Sequence, residues 1–196
     1  MSQKILYLHG FHSSPWSEKA LIFKQAVAES GLELEVIAPQ LAVYPEAAIA
    51  QVETCCRDNA SDVIGVVGSS LGGYLATYLH NRLLLPIVVI NPAVKPFELL
   101  ADYIGPQIQP ITEQAYELTE AHMEQLKSIY SPELEKPERV WLLQQEGDEV
   151  LDYRQAVAHY QNCKVALEPK GNHSFVGFDR FGTAIIDFLL SASRRH

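Results

Sequence analysis

A chain of 196 residues, 47% hydrophobic and 20% charged, has the composition of one globular domain. Its formal net charge of −9 sets it against phosphate backbones and anionic lipid, so nucleic acid and membrane surfaces are not expected partners. Three cysteines, Cys55, Cys56 and Cys163, form neither an even framework nor a CxxC pair, and are expected as small buried hydrophobes.

Met1-Ser2-Gln3-Lys4 leads directly into an apolar run, without the basic and long apolar regions of a secretory leader. Together with the cysteine usage this predicts a reduced, cytoplasmic protein. Short apolar runs then alternate with amphipathic stretches. The runs are Ile5-Leu6-Tyr7-Leu8, Leu34-Glu35-Val36-Ile37, Val63-Ile64-Gly65-Val66-Val67, Ile87-Val88-Val89-Ile90, Val140-Trp141-Leu142-Leu143 and Lys164-Val165-Ala166-Leu167. Most are nearly continuous in apolar residues, which suits strands covered on both faces of a parallel sheet.

Helical spacing links Ala20, Phe23 and Val27, with Ser14-Pro15 read as the cap and first turn. It recurs in Ile49, Val52 and Cys56, in Leu71, Leu75 and Leu79, in Tyr153, Ala156, Val157 and Tyr160, and in Phe181, Ile185, Phe188 and Leu189. Strands alternating with helices predict a doubly wound α/β sheet. Between Asn91-Pro92 and Arg139 the rhythm breaks. This stretch reads as strandless, with helical patches at Phe97 to Tyr103 and Thr112 to Ile129. So long a connection usually has a function, and residues 93–138 are expected to form a helical cap or lid within the single domain.

The third run enters Gly68-Ser69-Ser70-Leu71-Gly72-Gly73-Tyr74 and then a helix. Strand, tight turn and helix are the context in which GxSxG becomes a nucleophile elbow. The turn leaves no room for side chains two residues before and after the nucleophile. Ser70 meets that condition through Gly68 and Gly72, whereas Ser69 would be flanked by Val67 and Leu71. The same turn lacks GxxxxGK[ST] and GxGxxG, so a phosphate cradle is disfavoured.

A serine hydroxyl needs a base. Of seven histidines, His173 alone sits in a polar loop, Pro169-Lys170-Gly171-Asn172-His173-Ser174, after the last strand. His80, His122 and His159 fall on predicted helices, and His196 is terminal. The acid is expected after Val140–Gln145, where Asp148 comes first off the strand. Asp152 competes but has a sufficient role as a helix N-cap, and Glu146 and Glu149 are weaker choices. The order Ser, acid, His is that of the α/β-hydrolase fold. In that fold the loop after the first strand and the residue after the nucleophile supply the oxyanion N–H groups, which assigns Phe11 and Leu71. His9 and His12 have no third ligand of recognisable spacing, so no metal is expected. His9 reads as a loop-fixing residue.

The blocks Leu6-Tyr7-Leu8-His9-Gly10-Phe11 with Ser13-Ser14-Pro15, Gly68 to Tyr74, Asn91-Pro92-Ala93-Val94-Lys95-Pro96-Phe97-Glu98-Leu99-Leu100, Trp141-Leu142-Leu143-Gln144-Gln145 with Gly147 to Ala156, and Gly171-Asn172-His173 resemble, in this order, the YqiA-type family of small bacterial esterases. The resemblance implies a hydrolase of carboxylic esters or thioesters of acyl substrates, without a cofactor, using Ser70, Asp148 and His173. The expected architecture is a reduced α/β-hydrolase, a six-stranded, mainly parallel sheet in order 2-1-3-4-5-6, with the site at the C-terminal strand ends beneath the insertion. The alternatives are an acyl-CoA thioesterase and an inactive hydrolase-fold binding module. Phe97, Leu99, Leu100, Tyr103, Tyr116 and Met123 are candidates to line an acyl pocket, or equally to bury a cap face. No feature sets an oligomeric state.

Overall fold

The computed structural model describes residues 2–194; Met1 and His196, read above, lie outside them. The main sheet is built from β1 (Gln3–Leu8), β2 (Leu34–Ile37), β3 (Val63–Ser69), β4 (Ile87–Ile90), β7 (Val140–Gln145) and β8 (Lys164–Glu168). All neighbours are parallel, in order β2-β1-β3-β4-β7-β8. This is the order expected from sequence, with the two remaining strands of the chain outside the sheet. The central strands β3, β4 and β7 are buried throughout, whereas the edge strands β2 and β8 are partly exposed. The near-continuous apolar runs therefore fall where both faces of the sheet are covered.

Alternation along β1 splits the core in two. Leu6 and Leu8 join Val66, Val89 and Leu142 under α2 (Pro45–Asp58), α3 (Leu71–Leu83) and α6 (Tyr153–His159). Ile5 and Tyr7 join Val67, Val88 and Leu143 under α1 (Glu18–Glu29) and α7 (Gly182–Ser193). The helical spacings are the buried stripes: Ala20, Phe23 and Val27 in α1, and Ile185 and Leu189 in α7. Cys56 is buried, Cys55 and Cys163 are partly so, and all three are free thiols. No helix among the described residues is long and apolar enough to cross a membrane.

Two local expectations are corrected. The first helix starts at Glu18, with Ser17 before it, rather than at Ser14-Pro15. The Ser14 hydroxyl instead accepts the Trp16 N–H at 3.1 Å, closing a turn. The second correction concerns residues 93–138, which are not purely helical. After α4 (Pro96–Leu99) and a 3-10 turn at Leu100–Tyr103 come β5 (Gly105–Ile108) and β6 (Ala115–Leu118), an antiparallel hairpin. Only then does α5 (Glu120–Ser128) begin. Tyr116 and Leu118 are buried while Ala115 and Glu117 are exposed, a period of two that four residues make easy to miss inside a longer apolar pattern. Thr119 and His122 close a capping box at the start of α5, which fixes where helix replaces strand.

Several histidines are structural. His80 is fully buried in α3, its Nδ1 2.7 Å from the Leu85 carbonyl while its Nε2 accepts the Lys136 N–H at 3.3 Å. Burial pulls the imidazoles of His9, His80 and His159 below their ordinary value. The unfolded chain then takes up protons that the folded chain refuses. Stability is therefore full above the unfolded value of about 6.5 and declines as pH falls below it. A thermal melt at constant ionic strength is expected to show a lower midpoint at pH 5.5 than at pH 7.5, and a flat or rising midpoint would contradict the assignment of neutral buried imidazoles.

Candidate active site

β3 delivers the chain to Ser70 in a backbone conformation rare for a side-chain-bearing residue, φ 55° and ψ −119°. Such a conformation costs on the order of 1–3 kcal/mol and persists only where the surroundings enforce it. Here Ser70 N–H donates to the Ile90 carbonyl at 3.1 Å, and the Ser70 carbonyl accepts from Gly73 and Ala93 N–H at 3.0 and 3.1 Å. A Cβ on Gly72 would stand 2.1 Å from the Leu8 carbonyl oxygen, and one on Gly68 2.3 Å from the Gly72 carbonyl oxygen. Both glycines are therefore forced by backbone against backbone, which flexible side chains cannot relieve.

β7 ends at Gln145, and the turn that follows brings in Asp148. Its carboxylate accepts the Val150 and Leu151 N–H groups at 2.9 Å each, and its side chain is fully buried. The loop after β8 brings in His173. His173 Nδ1 lies 2.9 and 3.0 Å from the two Asp148 oxygens, and Nε2 lies 3.2 Å from Ser70 Oγ. An ionised carboxylate only accepts, so the ring proton belongs on Nδ1 and the Nε2 lone pair faces the serine hydroxyl. The competing carboxylates serve elsewhere. Asp152 caps α6 through the Arg154 N–H and pairs with the Arg154 guanidinium. Glu149 accepts the His173 backbone N–H at 2.9 Å, a contact that holds its carboxyl below the usual range.

The loop after β1 carries Phe11 against this group. His9 fixes the loop: its Nδ1 donates to the Gly10 carbonyl at 2.8 Å, and its Nε2 accepts the Leu41 N–H at 3.0 Å. Both ring nitrogens are thereby engaged by protein. Neither Phe11 N–H nor Leu71 N–H has an acceptor among the described residues. Among those residues no group of three or more His, Cys, Asp or Glu side chains could hold a metal ion.

A cleft of about 240 Å³ opens on Ser70 and His173, lined also by Tyr7, Gly10, Phe11 and Lys19. None of its lining comes from residues 93–138, so on this side the insertion is not a roof. The insertion meets the Phe11 loop from the other side, where Gln109 and Tyr116 share a smaller cavity with Phe11 and Leu71. There His12 Nε2 lies 2.6 Å from the Tyr116 hydroxyl, and the Gln109 amide donates to the Ser13 carbonyl at 2.9 Å. Leu100, Tyr116 and Met123 are buried in the insertion's own core with Leu118, Leu126 and Tyr74, and Tyr103 is exposed. A larger groove of about 470 Å³ between α2 and α3 is lined by Glu53, Cys56, Arg57 and Arg82 among others, and burial pushes its Cys56 thiol up to about 11.

The His173 loop rests on two buried amides that motif reading did not single out. Asn91 Nδ2 donates to the Asn172 and His173 carbonyls at 3.0 Å each, and its Oδ1 accepts the Gln145 N–H at 2.9 Å. Gln145 Oε1 accepts the Asn172 and Val176 N–H groups at 3.1 and 2.9 Å, and its amide donates to Glu168 and to the Val176 carbonyl. The only hint in the sequence was a polar residue at the tip of each of two apolar strands.

A model of the uncharacterised protein family UPF0227 matches residues 4–190. The chain belongs to that family. It is the YqiA-type family that the sequence blocks resemble. Among solved structures, Est1E from Butyrivibrio proteoclasticus, determined with bound ferulic acid, shares 14% identity at a TM-score of 0.71, over 97% of this chain and 89% of that one. The esterase domain of a Rhodothermus marinus protein shares 14% at 0.69, over 98% and 87%. Mouse alpha/beta hydrolase domain-containing protein 10 shares 16% at 0.71, over 97% and 90%. The fold is that of the α/β hydrolases.

Asn91→Ala leaves the Gln145 N–H and two loop carbonyls without their partners. It is expected to cost about 3 kcal/mol, since each unsatisfied buried group costs about 1–3 kcal/mol. Urea unfolding measures the loss, and amide exchange over residues 171–176 should accelerate more than in α1; unchanged exchange there would refute the bracing role.

Proposed function

We propose that this protein is a serine hydrolase of carboxylic esters, with Ser70 as nucleophile, His173 as general base and acid, and Asp148 as the group that orients and stabilises the imidazolium. The observation that carries the reading is the unbroken chain of contacts from Asp148 through His173 Nδ1 and Nε2 to Ser70 Oγ, on a serine whose backbone is held in the strained elbow conformation. Membership of the family and likeness to esterases of the same fold support it.

In the first half-reaction Ser70 Oγ attacks the acyl carbonyl and its proton passes to His173 Nε2. Negative charge collects on the carbonyl oxygen, where the Phe11 and Leu71 N–H groups, free of other acceptors, receive it. Collapse breaks the ester bond, and His173 returns the proton to the leaving alkoxide, releasing the alcohol. In the second half a water gives its proton to His173 and attacks the acyl-enzyme. Collapse of that intermediate expels Ser70 Oγ, which regains the proton, and the carboxylic acid leaves. The scheme uses no cofactor. The two Asp148 oxygens against Nδ1 hold the ring in place and stabilise the imidazolium as it forms.

A fluorophosphonate probe is expected to label the folded wild type at one site and to fail on Ser70→Ala, as read by intact-mass spectrometry. Absence of labelling in the wild type would overturn the proposal. Asp148→Asn should lower kcat on a simple ester by about 10⁴-fold through loss of the correct tautomer, with Asp152→Asn retaining activity.

A further inference from the structure

The cleft beside Ser70 has a polar wall of a particular kind. Lys19, in the first turn of α1, lines it together with Tyr7, Ser17 and Ser174. Its ammonium donates to the Ser174 carbonyl at 2.9 Å, one of the three hydrogen bonds it is able to make. No carboxylate oxygen among the described residues lies within 4.0 Å of it. In a chain of net charge −9, a half-buried ammonium without an ion-pair partner is a site prepared for an anion from outside. Burial pulls Lys19 below the ordinary lysine value, against the opposing pull of Glu18 and Asp148, so a bound anion would restore what desolvation removes.

Tyr7, on the same wall, offers no second contact: its side chain is 1% exposed and its hydroxyl is sealed beneath the surface beside Ser17. At about 240 Å³ the cleft is smaller than the roughly 300–1,000 Å³ typical of sites for larger ligands. It suits a short arm with a polar end rather than a long hydrocarbon.

We infer that the substrate is an ester of a short dicarboxylic acid, whose free carboxylate binds the Lys19 ammonium while its ester carbonyl lies at Ser70. This rests on the proposed serine-hydrolase reading and adds the class of acyl group. Glu18 also lines the cleft; its charge sets the limit on how acidic the arm can be, favouring one carboxylate over a polyanion.

The test compares monoethyl glutarate with ethyl pentanoate, by ethanol release, in the wild type and two variants. The wild type is expected to favour the half-ester in kcat/KM by about tenfold or more, with charge-assisted hydrogen bonding as the source. In Lys19→Gln that ratio should collapse toward one, chiefly through KM for the half-ester, while Lys19→Arg preserves most of it. A wild type that labels with fluorophosphonate yet prefers the neutral ester overturns the inference and leaves the hydrolase reading standing. So does a Lys19→Gln variant that slows both esters in parallel, because bracing Ser174 alone would do that. Failure of the wild type both to label and to turn over either ester overturns the hydrolase reading, and this inference with it.

Discussion

Everything at the site depends on a backbone-to-backbone contact. The start of α3 lies so close to the end of β1 that Gly72 faces the Leu8 carbonyl, and the elbow closes so tightly that Gly68 faces the carbonyl of Gly72. Ser70 has no relaxed conformation available between those two glycines, and its positive φ is the result. The strain is held by what surrounds it. β3 is buried from Val63 to Ser69, and hydrogen bonds from the β4 end and from Ala93 grip both peptide groups of Ser70. A strand this thoroughly packed cannot slide to relieve one residue, because slipping by one would turn every side chain to the wrong face.

The partners of Ser70 come from two further strand ends, and the sheet alone does not place them to within hydrogen-bond distance. Parallel strands β7 and β8 bring two loops to the same edge, but loops are the mobile part of such a fold. What removes that freedom is the pair Asn91 and Gln145. Asn91 projects from the tip of β4 and takes hold of the His173 loop by its carbonyls, while Gln145 takes hold of the same loop by its N–H groups. Each amide has donors and acceptors matched to an irregular backbone that no ladder satisfies. His173 is thereby referred to the same β4 end that anchors the elbow, so it shares one reference point with Ser70.

How much of this could be read from residues alone follows from the range of each signal. The six sheet strands and their order were legible because burial on both faces writes itself into continuous apolar runs, as in Val63–Val67 and Ile87–Ile90. The meeting of Ser70, Asp148 and His173 was legible because the glycines sit two places from Ser70 and because chain order and loop position select the other two. The hairpin of β5 and β6 was hidden by its four-residue strands and by apolar spacing that runs on into α5. The start of α1 was misplaced because Ser14 satisfies its hydroxyl in a turn of its own. Asn91 and Gln145 do not read as braces in the sequence, since their partners lie 23 to 82 positions away and an amide carries no periodicity.

The same reasoning separates the two sides of the Phe11 loop. Toward residues 93–138 the loop meets rings and a hairpin: Phe11 stacks on His12 at 3.9 Å between centroids, and His12 reaches Tyr116. Those contacts fix the backbone of the Phe11 loop, so the insertion meets the site by bracing that loop rather than by covering the cleft. Toward α1 the loop borders the cleft that Lys19 lines, where the ammonium makes one of its three hydrogen bonds. One side of the loop is held by the rings and amides of the insertion, and the other opens on an ammonium with donors to spare. On the proposed reading, recognition belongs to the first helix, an element rigid enough that a charge placed on it keeps its distance to Ser70.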